Sequence, residues 1–222
     1  MAKKKVPQIL AVLTADIVRS RRIPQKALEV RMTQVSEEIS KSLKCRKNIF
    51  EFYRGDSFQA LIPADDSLKV ALLWRAALMA TVGKYKWDVR IAIGIGSIDH
   101  QGKTLAASGG TAFQHSGALL DNMKHSDVQR IGFSTDDEQL DLCLNTECQL
   151  AEGLISRWTN IGAETLYHLM LFNDKQDALA ARIGVTQPAI HKRLQTANWP
   201  AIRQWEHHFR HTISKQLLPN TE

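Results

Sequence analysis

The fold is decided by the stretch Ile9-Leu10-Ala11-Val12-Leu13-Thr14-Ala15-Asp16. Its apolar run is too short for a typical helix and ends at a charged residue, which is the pattern of a central strand covered on both faces. Residues 24–44 place apolar side chains on one helical stripe and predict a long amphipathic helix. A hairpin is predicted next, because the strand-like segments 49–53 and 58–62 are separated by Arg54-Gly55-Asp56-Ser57.

The alternation of strands and helices continues to about residue 133. Residues 68–84 predict a second helix, and residues 89–96 predict a strand that contains two glycines. A third helix is predicted from Ser108-Gly109-Gly110 to Lys124, and a last strand at residues 128–133. The order is βαββαβ and then αβ. Because a hairpin is inserted between helical crossovers, the sequence predicts a ferredoxin-like or palm-type α+β sheet rather than a doubly wound one.

A domain boundary is predicted near the acidic, polar segment 134–138. After about Asp136 the strand pattern disappears, and the remaining residues predict helices. The sequence therefore predicts an α+β domain at residues 1–137 and an all-α domain at residues 138–222.

Composition predicts a soluble protein. The chain has 222 residues, and no apolar run approaches the roughly 18 residues that a membrane helix needs. The basic segment 1–5 is followed by Val6-Pro7-Gln8, where a signal peptide would need an apolar region. We therefore expect a cytoplasmic protein without membrane association.

Positive charge is concentrated in two zones of a chain with a net charge of +6. Residues 1–50 contain 12 Lys and Arg residues against 4 Asp and Glu, and residues 187–215 contain five against one. Such zones are typical of contact with anionic partners. A solvated lysine-rich face remains the alternative for the N-terminal zone.

Asp16 and Asp56 form the first candidate site. A Mg²⁺ or Mn²⁺ ion that holds a nucleotide phosphate needs hard oxygen ligands, which two carboxylates on neighbouring strands supply. The structural alternative is that Asp16 caps a strand or helix end, and that Asp56 belongs to ordinary turn chemistry.

Residues 177–194 form the second candidate site, a helix-turn-helix. Ala180 is small at the helix contact, Gly184 permits a left-handed turn, and Thr186 can cap a second helix that has Pro188 in its first turn. The alternative is a plain helical hairpin. The residues predicted to face DNA are Thr186, Gln187, Ala189, His191, Lys192 and Arg193.

Four blocks of the chain resemble class III nucleotidyl cyclases and related palm domains, in the same order. They are Thr14-Ala15-Asp16-Ile17-Val18-Arg19-Ser20, Arg54-Gly55-Asp56-Ser57-Phe58, Arg90-Ile91-Ala92-Ile93-Gly94-Ile95-Gly96 and Gly110-Thr111-Ala112-Phe113. The resemblance implies that Asp16 and Asp56 are metal ligands. Candidate nucleotide or phosphate contacts are Arg19, Arg54, Gly110 and Lys124.

The chain departs from the cyclase pattern in the third helix. Gln114 stands where that family has asparagine, and Ala118 where it has the arginine that stabilises the transition state. Loss of this cation removes several kcal/mol of electrostatic stabilisation. Efficient cyclase activity is therefore not expected from this pattern.

The C-terminal part has resemblances of its own. Residues 154–176 resemble the helix that precedes the helix-turn-helix of sigma-factor region-four-like regulators. A cyclase-like domain followed by such a motif resembles the SatD family of bacterial proteins over nearly the full chain.

Two functional hypotheses follow. The first is a DNA-binding regulatory protein whose palm-like domain binds a nucleotide or metal or makes a homodimer that matches paired half-sites in double-stranded DNA. The alternative is a Mg²⁺- or Mn²⁺-dependent nucleotidyl cyclase or nucleotidyltransferase that uses Asp16 and Asp56. A scaffold whose α+β domain only oligomerises is a third hypothesis.

Overall fold

The computed structural model describes residues 9–43, 50–53, 55–125 and 129–217. Within these residues the strands are β1 (Ile9–Ile17), β2 (Phe50–Tyr53), β3 (Ser57–Pro63), β4 (Val89–Ser97) and β5 (Ile131–Ser134). The helices are α1 (Gln25–Ser42), α2 (Ser67–Met79), α3 (Thr111–Lys124), α4 (Glu138–Ile155), α5 (Asn160–Phe172), α6 (Gln176–Ile183), α7 (Gln187–Thr196) and α8 (Trp199–Gln216).

The sheet has the strand order β2-β3-β1-β4-β5. β1 pairs antiparallel with β3 and β4, β2 pairs antiparallel with β3, and β5 is added parallel to β4. The first four strands, with α1 and α2, form a βαββαβ unit of the ferredoxin-like type. The predicted α+β class and the central position of β1 are confirmed.

The two faces of β1 have different partners, because side chains alternate along a strand. Ala11, Leu13 and Ala15 are buried in the main core together with α1 and α2. Thr14 and Asp16 point to the opposite face, which α3 covers beside β4. Glycine permits this close packing, since a Cβ atom on Gly94 would lie only 2.1 Å from the Ala112 carbonyl oxygen.

Helix α2 is buried on almost all sides, whereas the sequence predicted one inner face. The reason is that α5 packs against the side of α2 that faces away from the sheet. The helix also ends at Met79, earlier than the predicted residue 84. Asn160 Nδ2 donates to the carbonyl oxygens of Met79 and Thr81 at 2.7 and 3.3 Å, which satisfies the carbonyls at the helix end.

The C-terminal helices share one apolar core with the sheet. The rings of Phe133 in β5 and Phe209 in α8 lie 4.8 Å apart between centroids. The predicted boundary at residue 137 coincides with the N-cap of α4, where the Asp137 carboxylate accepts from the backbone N–H groups of Gln139 and Leu140. The division into two domains at this residue stays a prediction.

The helices of the described part of the chain include none with the length and hydropathy that crossing a membrane requires.

Candidate functional site

The ends of β1 and β3 bring the segments of Asp16 and Asp56 together. Asp16 lies opposite Ser57 on β3 and opposite Arg90 on β4. The Ile17 N–H donates to the Asp56 carbonyl oxygen at 2.9 Å, which extends the strand pairing by one step. Asp16 in β1 and Asp56 in the turn before β3 therefore lie at the same end of the sheet.

The carboxylate of Asp16 is held by an arginine that sequence reasoning did not assign to the site. Arg90 Nη1 lies 3.1 and 3.0 Å from its two oxygens. Arg90 is 8% exposed, and its Nε is buried without a hydrogen-bond partner among the described residues. The sequence did contain a signal for this ion pair, namely an arginine within the apolar pattern of β4, because a buried cation requires a charge partner.

Among the described residues, the carboxylate of Asp56 accepts hydrogen bonds from hydroxyl groups and not from a cation. Ser20 Oγ donates to one oxygen at 2.6 Å, and Ser57 Oγ donates to the other at 3.2 Å. Gly55, with φ +77°, makes the tight turn before Asp56. In the described part of the chain, Asp16 and Asp56 are not joined by further His, Cys, Asp or Glu side chains to form a metal-binding group of three.

Arginines surround Ser20 on the connection from β1 to α1. Arg19 is exposed and adopts the left-handed conformation, with φ 57°, and Arg21 and Arg22 are also exposed. The phosphate contact of Arg19 stays a prediction. The other arginine predicted here, Arg54, lies outside the described residues.

A cleft of about 430 Å³ opens on the same face of the sheet. Its polar lining includes Thr14 and Gln59, which are linked at 3.2 Å, and Ser57, the residue opposite Asp16. Tyr53 lines the cleft on the β2 side; burial, followed by its hydrogen bond to Glu51, raises the pKa of its hydroxyl to about 12. The cleft offers hydroxyl and amide groups to a ligand, but its lining includes neither Asp16 nor Asp56 among the described residues.

Gly110 and Lys124 do not meet at this site. They lie at opposite ends of α3, which separates them by about 20 Å at 1.5 Å per residue. Gly110 packs against Ser97 at the end of β4, whereas Asp16 pairs with Arg90 at its beginning. Lys124 forms an ion pair with Asp121 at 2.8 Å. One phosphate cannot contact Gly110 and the aspartates together, because α3 runs along the strands.

Helices α6 and α7 meet through a tight connection. Gly184 adopts the left-handed conformation, with φ 77° and ψ 35°, and its N–H donates to the Ala180 carbonyl at 2.9 Å. Leu179 of α6 and Ile190 of α7 are fully buried between the helices and the core. Thr186 occupies the predicted N-cap position, but its hydroxyl makes no capping hydrogen bond.

The residues predicted to face DNA differ in their exposure to solvent. Thr186, Gln187, His191 and Lys192 are exposed, and Ala189 and Arg193 are half-buried. Two of these side chains have partners within the protein. Gln187 Nε2 donates to Gln176 Oε1 at 2.8 Å, and Arg193 Nη1 lies 3.5 Å from Thr165 Oγ1.

The chain is similar to known proteins in sequence and in structure. The model of the SatD family matches residues 9–202, which include both candidate regions. The structure of a bacterial light-regulated adenylyl cyclase resembles the chain with 14% identity and a TM-score of 0.38; the match covers 69% of this chain and 83% of that chain. No curated protein matches the chain.

Proposed function

The chain belongs to the SatD family, and we propose that it is a DNA-binding regulatory protein. Helices α6 and α7 act as a helix-turn-helix, and α7 enters the major groove of double-stranded DNA. The observation that carries this proposal is the two-sided character of α7, which buries Ile190 and Leu194 while it exposes Gln187, His191 and Lys192. A groove-binding helix needs both a packed face and a free polar face.

The exposed side chains of α7 suit different parts of a duplex. Gln187 and His191 lie in its N-terminal half, where side chains reach base edges in the major groove. Lys192 and Arg193 carry the positive charge that phosphates attract. Gln187 exchanges its bond to Gln176 for one to a base, so the hydrogen bond between the two helices is released upon binding.

In this proposal the sheet region either regulates DNA binding or makes the protein a symmetric dimer. It binds a nucleotide or a metal ion at the aspartate end, or it pairs two copies of the chain into a homodimer. Two-fold pairing would present two copies of α7 to two DNA half-sites. Movement at the sheet can reach α7, because α5 packs on both α2 and α7.

Salt-dependent duplex binding tests the proposal. Fluorescence anisotropy with a random-sequence duplex, from 50 to 200 mM KCl, should give an affinity that falls steeply with salt. Lys192→Ala should weaken binding and reduce the slope of log K against log salt by about 0.9 for one lost phosphate contact. The matched control is Lys215→Ala, an exposed lysine about 24 Å along α8 from its start. Absence of duplex binding, or equal slopes for both variants and the wild type, would reject α7 as the DNA contact.

A second candidate function is a Mg²⁺- or Mn²⁺-dependent nucleotidyl cyclase or nucleotidyltransferase. It is favoured by the position of Asp16 at the end of β1 and of Asp56 in the turn before β3, and by a cleft with room for a phosphate that reaches the neighbouring Ser57. Their carboxylates are the hard oxygen ligands that these metals prefer. Arg90, however, already binds both oxygens of Asp16, so a metal ion would have to displace it. This competition is why DNA binding is our first proposal.

A further inference from the structure

Two cavities adjoin each other next to the C-terminal half of α7. The first has a volume of about 330 Å³ and lies between α7 and the start of α5. The second, also about 330 Å³, lies between the start of α5 and the loop after α2. Trp158 and Thr159 line both cavities, so their linings form one continuous surface.

Of the residues that the structure describes, five cations and no carboxylate line this surface. We call it the basic surface, and its cations are Lys84, Lys86, Arg157, Lys192 and Arg193. Within residues 9–43, 50–53, 55–125 and 129–217, none of the five forms an ion pair with a carboxylate. Their charge is therefore not neutralised from within the described chain, which makes the surface attractive to an anionic partner.

Hydrogen bonds fix the two halves of the basic surface relative to each other. Trp158 Nε1 donates to the carbonyl oxygen of Ala197, the C-cap residue of α7, at 3.0 Å. Two residues further on, Asn160 Nδ2 donates to the carbonyl oxygens of Met79 and Thr81, which begin the loop that carries the lysines. The loop after α2 is thereby held at a fixed position beside α7.

The spread of the cations favours a polyanion over a small ligand. Lys84 and Lys86 lie on the loop after α2, Arg157 on the turn after α4, and Lys192 on α7, and all four are exposed. They are distributed over two cavities and do not surround one enclosed point. A duplex offers many phosphates, at one charge per about 1.7 Å of helix axis, so that cations spread over a surface can each contact one.

We propose that Lys84 and Lys86 bind the phosphate backbone of the same DNA duplex whose major groove accepts α7. This inference rests on the proposed function and adds a contact from the sheet region, outside the helix-turn-helix. Arg157 bridges the two contacts along the surface. The lysines strengthen binding and fix the orientation of the duplex, but they do not read sequence, because phosphate contacts carry no base information.

The test measures how the affinity of the double variant Lys84→Ala/Lys86→Ala for duplex DNA depends on salt, in the full chain. Loss of two phosphate contacts should lower the slope of log K against log salt by about 1.8 in magnitude. Base preference, measured with a panel of single-base changes in one duplex, should stay as in the wild type. The matched control is Lys26→Ala/Lys103→Ala, which removes two exposed lysines away from the basic surface.

Charge-retaining and folding controls keep the result unambiguous. Lys84→Arg/Lys86→Arg should retain the wild-type slope, and thermal melting should be unchanged in every variant because the side chains are exposed. If the wild type binds duplex DNA and the double alanine variant has the same salt slope as the wild type, this inference alone is overturned. A wild-type protein that does not bind duplex DNA overturns the proposed function with it. If the double alanine variant loses affinity for single-stranded RNA but not for duplex DNA, the inference is also overturned, because the lysines then bind a different polyanion.

Discussion

Arg90 Nη1 bridges the two carboxylate oxygens of Asp16, at 3.1 and 3.0 Å, across neighbouring strands. The side chain of Arg90 is 10% exposed and that of Asp16 is 21% exposed, so water screens this pair incompletely. The guanidinium therefore places a positive charge directly against the Asp16 carboxylate.

Removal of this competing cation should increase metal affinity. We expect Arg90→Gln to bind Mn²⁺ about tenfold more tightly or better than the wild type, because a unit positive charge next to the ligand oxygens is lost. Isothermal titration calorimetry measures the affinity for Mn²⁺. The control is Arg90→Gln/Asp16→Asn, in which the Mn²⁺ affinity should return to that of the wild type. Equal affinity in the wild type and in Arg90→Gln would show that Arg90 does not compete with metal at Asp16.

Turnover of nucleoside triphosphates distinguishes the enzymatic candidate from the DNA-binding one. If the sheet is catalytic, product should form with Mg²⁺ or Mn²⁺ and one of the four triphosphates, and both Asp16→Ala and Asp56→Asn should reduce its rate at least about a hundredfold. Liquid chromatography with mass detection identifies the product. Ser20→Ala removes only a hydroxyl partner of Asp56 and should retain measurable turnover. The absence of product with all four triphosphates would remove the enzymatic candidate.

The sheet could be predicted because each of its elements is encoded by a short stretch of the sequence. The run from Ile9 to Ala15 and the glycine turn before Asp56 each define an element within a few residues, and the order of these elements defines the ferredoxin-like unit. The neighbourhood of the two aspartates followed from that order. In the same way, Gly184 marked the left-handed connection between α6 and α7.

The contacts that modify the site are long-range, and for that reason the sequence did not reveal them. Arg90 is 74 residues from Asp16, and Ser20 is 36 residues from Asp56. The burial of α2 on both sides and its early end at Met79 depend on α5, which lies about 80 residues further along the chain. Periodicity describes which face of a helix is apolar, but it does not state that a second layer covers the other face.

Arg75 connects the sheet region to the C-terminal helices through a buried ionic cluster. It is fully buried in α2; its Nε donates to Asp88 at 3.1 Å, and its guanidinium also binds Glu152 of α4. Burial opposes the charge of Arg75, but the two carboxylates outweigh it and raise its pKa. Arg75→Ala leaves both acids without this partner and should lower the free energy of unfolding by about 3–5 kcal/mol.

Urea unfolding measures the effect of Arg75→Ala against a surface arginine. Arg203→Ala, an exposed residue of α8, should change stability by less than about 0.5 kcal/mol. The same comparison with Glu152→Gln tests the tie to α4 alone, and it should give an intermediate loss because Arg75 keeps Asp88. Equal stabilities of Arg75→Ala and Arg203→Ala would contradict a structural role for the cluster.

Gly184→Ala should destabilise the protein for a reason that is purely conformational. A Cβ atom there meets no atom of the described residues within 4 Å, but the residue has φ +77°, which L side chains rarely adopt. Gly184→Ala should therefore lower the free energy of unfolding by about 1–2 kcal/mol and weaken duplex binding, since strain at this turn alters the placement of α7. Circular-dichroism melting and anisotropy on the same duplex measure the two effects.

Gly153 provides the matched control for this substitution. It also has open space around its Cβ position, but it lies within α4 at ordinary helical angles. Gly153→Ala should be neutral or stabilise the protein by up to about 1 kcal/mol, because alanine favours the helix. Gly184→Asn should lie between the two, since asparagine tolerates the left-handed conformation better than alanine. If Gly184→Ala behaves like Gly153→Ala, the left-handed turn does not determine the position of α7.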